Sequence, residues 1–96
     1  MQFLLLAYDA QDDAALGRRM AARDAHLKLV DENKTRGHAK FGAALLQDGK
    51  MVGSMMVVDY PSREALEEWL KIEPYITGKV WEKVTISECK IAPSFM

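Results

Sequence analysis

The chain has 96 residues, 13 Lys and Arg against 14 Asp and Glu, a formal charge of −1 and 49% hydrophobic residues. One core fits this length, and the composition is that of a folded globular domain. The charge balance argues against general nucleic-acid binding, which needs a basic surface to displace counterions. The longest apolar run, Phe3 to Tyr8, is far shorter than the roughly 20 residues of a membrane-spanning helix. No secretory leader pattern precedes it. A single cysteine, Cys89, excludes an intrachain disulfide and a thiolate zinc cage. A reducing cytoplasm is the expected compartment.

Residues 2–9 read as a first strand: the apolar run is too short for a buried helix and ends in the polar stretch from Asp9 to Asp13. A long helix is expected from about 13 to 36, with Asp12 or Asp13 as N-cap and Gly37 as its stop. Residues 39–47 read as a second strand. Asp48-Gly49 signals a type I′ hairpin, whose two central residues both need positive φ. Met51 to Asp59 is then a third strand, antiparallel to the second. Ser62 caps a second helix running to about Ile72, with Leu66, Trp69 and Leu70 at i, i+3 and i+4 as its apolar stripe. Pro74 ends it, and a turn through Gly78 leads to a last strand, Trp81 to Ile91.

This order, β-α-β-β-α-β, is the α+β ferredoxin-like pattern: a four-stranded antiparallel sheet with two helices on one face. The first strand carries Phe3 and Leu5 on one side and Leu4, Leu6 and Tyr8 on the other. The third carries Met51, Met55 and Val57 against Val52, Met56 and Val58. Helices cover one face only, so the second apolar face calls for another cover. The five residues after Ile91 are too few to cover it. A homodimer packed sheet to sheet is therefore expected.

The densest chemistry lies in the first helix. At about 100° per residue, Arg19, Arg23, His26 and Val30 share a narrow sector beside an expected core stripe of Leu16, Met20 and Leu27. A histidine at the edge of a buried face has the right pKa range for a general base. From spacing alone, a boundary histidine with a structural hydrogen bond is the stronger reading. Glu73-Pro74-Tyr75 is the second group. A carboxylate there is able to orient a histidine, and its alternative is a solvated helix C-terminus, where a glutamate is electrostatically disfavoured. His38 reads as a loop or surface residue. Two histidines twelve residues apart have no standard metal spacing, and the methionines of the third strand read as core packing rather than copper ligands. Cys89 reads as a buried inert thiol. No phosphate-binding glycine loop or other cofactor motif is present.

Arg23-Asp24-Ala25-His26-Leu27 resembles the R-x-x-H-L signature of the YCII-related (YciI-like) family. Gly53-Ser54 resembles that family's Gly-Ser step, and Glu73-Pro74-Tyr75 with Gly78-Lys79-Val80-Trp81-Glu82 is similar to its D-P-Y/F…G-V-Y/F-E block. The match runs over nearly the whole chain in order. The resemblance implies a dimeric α+β barrel and an active site around a histidine, an aspartate and a nearby hydroxyl. Carried over, these are His26, Glu73 and Ser54, with Arg23 as the arginine. Glu73 departs from the family aspartate by one methylene, or about 1.5 Å, which matters in a preorganised site.

The expected function is acid–base chemistry on a small molecule, of elimination or isomerisation type, without cofactor. His26 and Glu73 would be its catalytic pair, and Arg23, Ser54 and Tyr75 its substrate-binding residues. The alternative is a non-catalytic small-molecule-binding or accessory dimer. A weaker third reading is a cofactor-free monooxygenase or haem-degrading relative on the same fold. The expected partners are a second copy of the chain and a small ligand, with neither nucleic acid nor membrane.

Overall fold

The computed structural model describes all residues 1–96. The elements are β1 (Gln2–Asp9), α1 (Ala15–Thr35), β2 (Ala39–Gln47), β3 (Lys50–Asp59), α2 (Arg63–Leu70), α3 (Pro74–Thr77) and β4 (Trp81–Cys89). The four strands form one antiparallel sheet in the order β2-β3-β1-β4. This is the ferredoxin-like α+β architecture expected from the element order. Asp48 and Gly49 take φ of 52° and 78° and close the hairpin as a type I′ turn requires.

Several local expectations are corrected. α1 starts after Ala14, which makes no side-chain cap, because the Asp12 carboxylate is engaged instead by the Arg18 guanidinium at 2.7 Å. α2 stops at Leu70 rather than Ile72, and Pro74 opens the short helix α3 instead of merely ending its predecessor. Glu73 is thus not at a solvated C-terminus. It is the N-cap of α3, fully buried, and its Oε2 accepts from the Tyr75 N–H at 2.6 Å. β4 ends at Cys89, whose thiol is half-buried rather than buried.

The largest correction concerns α1. Leu16, Met20 and Leu27 are 40%, 52% and 42% exposed, so they are not its core stripe. The buried positions are Ala15, Arg19, His26 and Asn33. The sequence Ala15-(x)3-Arg19-(x)6-His26-(x)6-Asn33 repeats at whole turns, so one face is continuous but polar. Hydrophobicity patterning cannot see such a face, because Arg19, His26 and Asn33 are buried against polar partners rather than as apolar surface.

The core is built by Phe3, Leu5, Met56, Val58, Tyr60, Leu66, Trp69, Tyr75, Val80 and Trp81, on the helix side of the sheet. The opposite face carries Leu4 and Leu6 beside Val57 and Met55, all partly exposed, with Tyr8 and Phe41 at 46% and 45% exposure. Both faces of β1 and β3 are therefore apolar, and the helices cover one.

Candidate active site

Three local devices bring the site together. Arg19 and His26 lie seven residues apart on α1, two turns, so both face the sheet. β1 alternates Phe3, Leu5, Ala7 and Asp9 toward the helices, so the Asp9 carboxylate lies in the same layer. In β3, a Cβ on Gly53 would come within 2.5 Å of the Ala7 carbonyl, so only glycine permits the close pairing that sets the neighbouring Ser54 against α1.

His26 is 8% exposed and Glu73 is fully buried, and the imidazole Nδ1 is hydrogen-bonded to Glu73 Oε1. A carboxylate only accepts, so Nδ1 carries the proton and Nε2 of the neutral ring keeps its lone pair. The Tyr75 ring stacks on the imidazole, with centroids 3.8 Å apart and planes at 10°. The Trp81 ring meets the imidazole edge-on at 5.9 Å. The histidine is held on its rings and at one nitrogen, while Nε2 makes no hydrogen bond within the protein and the residue lines a cleft.

Beside this pair lies a second buried network. Arg19 Nη1 donates to both carboxylate oxygens of Asp9, at 2.9 and 3.0 Å, and Nη2 donates to Ser54 Oγ at 2.9 Å. Trp81 Nε1 donates to the same Oγ at 3.1 Å. With both lone pairs engaged, the Ser54 hydroxyl has its own hydrogen left to donate. Arg19 also lies over the Tyr75 ring, 4.8 Å from its centroid. Burial pushes the Tyr75 phenol above its ordinary pKa, against the lowering effect of Arg19 and Arg23, so it stays a neutral donor at physiological pH.

The cleft has a volume of about 390 Å³ and runs between α1 and the β2–β3 edge. Its inner end holds His26, Ser54, Tyr75 and Arg19, and its walls include Leu27, Val30 and Met56. Arg23 is half-buried there, its Nη1 3.0 Å from Met51 Sδ, a weak acceptor that leaves the guanidinium's remaining donors available.

The structure therefore gathers His26, Glu73, Arg23, Ser54 and Tyr75 around one site, with Glu73 behind the imidazole rather than in the cleft lining. His38 stands apart, its Nδ1 bonded to the Asp59 carbonyl at 2.8 Å and its ring stacked on Tyr60. Sequence reasoning missed the roles of Arg19, Asp9 and Trp81. The whole-turn spacing of Arg19 and His26, and the place of Asp9 in the inward alternation of β1, are the signals that point to two of them.

Residues 1–90 match the YCII-related domain. Protein YciI of Escherichia coli O6:H1 is 28% identical over 97 residues, covering 94% of this chain and 97% of that protein, and Protein YciI of Shigella flexneri matches equally. Among solved structures, 5-chloro-2-hydroxyhydroquinone dehydrochlorinase (TftG) from Burkholderia phenoliruptrix AC1100, in complex with 2,5-dihydroxybenzoquinone, superposes with a TM-score of 0.85 at 19% identity over 98% of both chains. An antibiotic biosynthesis monooxygenase superposes at 0.55 with 12% identity, over 97% of this chain and 100% of that one. At these identities the structural likenesses establish the fold.

Proposed function

The chain belongs to the YCII-related family, and from that premise we propose that it is a cofactor-independent acid–base enzyme acting on a small molecule, with His26 as the base. The observation that carries this reading is the buried Nδ1–Glu73 bond of a histidine that lines the cleft and whose Nε2 has no partner within the protein. A carboxylate behind an imidazole fixes its tautomer and stabilises the imidazolium that forms on proton uptake.

In the proposed step, Nε2 takes a proton from an O–H or C–H of the substrate. The electron pair of that bond forms a new C=O or C=C, and an anionic group leaves from the adjacent position in an elimination. In an isomerisation the proton returns to a different atom instead. The Ser54 and Tyr75 hydroxyls donate to the substrate oxygen on which negative charge develops, and Arg23 holds that oxygen's charge. Arg19 and Asp9 position Ser54 and act only through it. The dehydrochlorination named for the TftG relative is an elimination and supports this class of chemistry. Glu73 reaches His26 despite its extra methylene because its other oxygen is anchored as the α3 N-cap.

We further propose that the working form is a homodimer. The uncovered apolar face of β1 and β3 supports it, as does the family's barrel architecture.

The reading is tested by deuterium incorporation from D2O into a panel of hydroxyquinones and 1,3-dicarbonyls, together with chloride release from 5-chloro-2-hydroxyhydroquinone. The wild type should accelerate at least one of these, and His26→Gln should reduce that rate by about 100- to 10,000-fold while remaining folded. A ligand bound beside His26 but unaltered by wild type throughout the panel would favour the binding dimer instead.

A further inference from the structure

The cleft has a second end. Lys34 stands eight residues beyond His26 on α1, about 12 Å along the axis at 1.5 Å per residue, and lines the same cleft, as does Lys40 at the start of β2. Neither lysine has a carboxylate within ion-pair distance, and neither does Arg23, whereas Arg18, Arg19, Arg63 and Lys71 are all paired. Asp31 is the one acidic residue of the lining, and its side chain pairs with none of these cations. Six further cations, Lys28, Arg36, Lys50, Lys79, Lys83 and Lys90, also lack ion pairs but lie outside this cleft, which itself holds three unpaired cations against one carboxylate. The helix dipole explains a cation at Lys34, in the last turn of α1. It does not explain Lys40, which comes from another element and meets the same cleft.

Between the two ends the walls are apolar: Leu27, Val30 and Met56. A helical side chain leans toward the N-terminus of its helix, and Lys34 is a lining residue of this cleft. We infer that the cleft takes an elongated amphipathic anion. Its reacting oxygen lies at His26, Ser54 and Tyr75, its apolar or aromatic body fills the middle, and a second, remote carboxylate or equivalent anionic group is held by Lys34 and Lys40. This inference rests on the assignment of the inner end as the reacting end and adds the remote subsite to it. The remote group raises affinity and fixes direction, so that the reactive part of the ligand is delivered to the imidazole.

The test uses 4-phenylbutyrate and its neutral analogue 4-phenylbutyramide as probes, with binding followed through the backbone amide resonances of the folded protein. Both lysines are exposed, so the Lys34→Met, Lys40→Met double variant should fold as the wild type does. The carboxylate should bind the wild type roughly tenfold more tightly than the amide, the size of two partly screened ion pairs. The double variant should abolish that advantage and leave amide binding unchanged. Equal affinities for the two probes in wild type, or an advantage that survives in the double variant, would overturn the subsite. So would loss of the advantage in Arg23→Met with the double variant unaffected, because the anion would then sit at the inner end. His26→Gln separates the two assignments. If it loses proton transfer but the double variant keeps the carboxylate advantage, the subsite falls and the base stands. If it keeps proton transfer while the double variant loses the advantage, the base falls and the subsite stands.

Discussion

Among single residues, the site is two buried hydrogen-bonded pairs, His26–Glu73 and Arg19–Asp9, sharing the Tyr75 ring. His26–Glu73 and Arg19–Asp9 differ in what removal should do. Arg19 is 2% exposed and Asp9 is 7% exposed, so Asp9→Ala strands a cation in the core and should cost about 3–5 kcal/mol in denaturant unfolding. Replacing both partners with apolar residues of similar size should cost less than that single change. His26→Gln keeps volume and hydrogen-bonding capacity, so its effect should fall on proton transfer. Glu73→Asp restores the family residue but shortens a side chain that bonds Nδ1 with one oxygen and caps α3 with the other. We expect it to lower activity by drawing the carboxylate back from Nδ1 while keeping the α3 cap, because aspartate is itself a preferred N-cap. An activity gain in the same proton-transfer assay would show that the longer carboxylate holds the imidazole off its best position.

At the scale of elements, most of the architecture is legible in the sequence and its exceptions share a cause. The hairpin at Asp48-Gly49, the Ser62 cap and the Leu66-Trp69-Leu70 stripe follow from local chemistry and stand as expected. α1 was legible as a helix but not in its facing. Its buried face is made of Arg19, His26 and Asn33, whose burial depends on partners in β1, β3, α3 and at Tyr60, all remote in sequence. The site residues drawn from the family motifs were legible for the same reason that Arg19 and Asp9 were not: a motif names residues, whereas an ion pair between a strand end and a helix needs the register. Asn33 Nδ2 donates to the Tyr60 hydroxyl at 3.1 Å, and burial pushes that phenol up from 10.0 to about 12. The folded state binds this proton more tightly than the unfolded chain. The contribution is therefore complete below pH 10 and is lost as pH rises toward 12. Stability measured by chemical denaturation should decline across that window, and Tyr60→Phe should flatten the decline.

In the whole molecule, the sheet has two apolar faces, and the helices cover one of them. Met56 is 3% exposed in the helix-side core, and its neighbour Met55 is half-buried on the other face. Met56→Asp should unfold the chain or cost several kcal/mol, because it buries an unpaired charge. Met55→Asp should leave the fold intact and convert a dimer into a monomer. Sedimentation equilibrium should then give twice 10.8 kDa for wild type and 10.8 kDa for Met55→Asp. A wild type that sediments as a folded monomer at low micromolar concentration would remove the dimer from the account. In the proposed mechanism the fold, by carrying α1 over the N-cap of α3, poises His26 as a base. Nitrogen-15 spectroscopy of the histidine ring measures this without any substrate. The Glu73 bond should give neutral His26 a pyrrole-like, protonated Nδ1 and a pyridine-like Nε2, and a pyridine-like Nδ1 with a protonated Nε2 would overturn the assignment of His26 as the base.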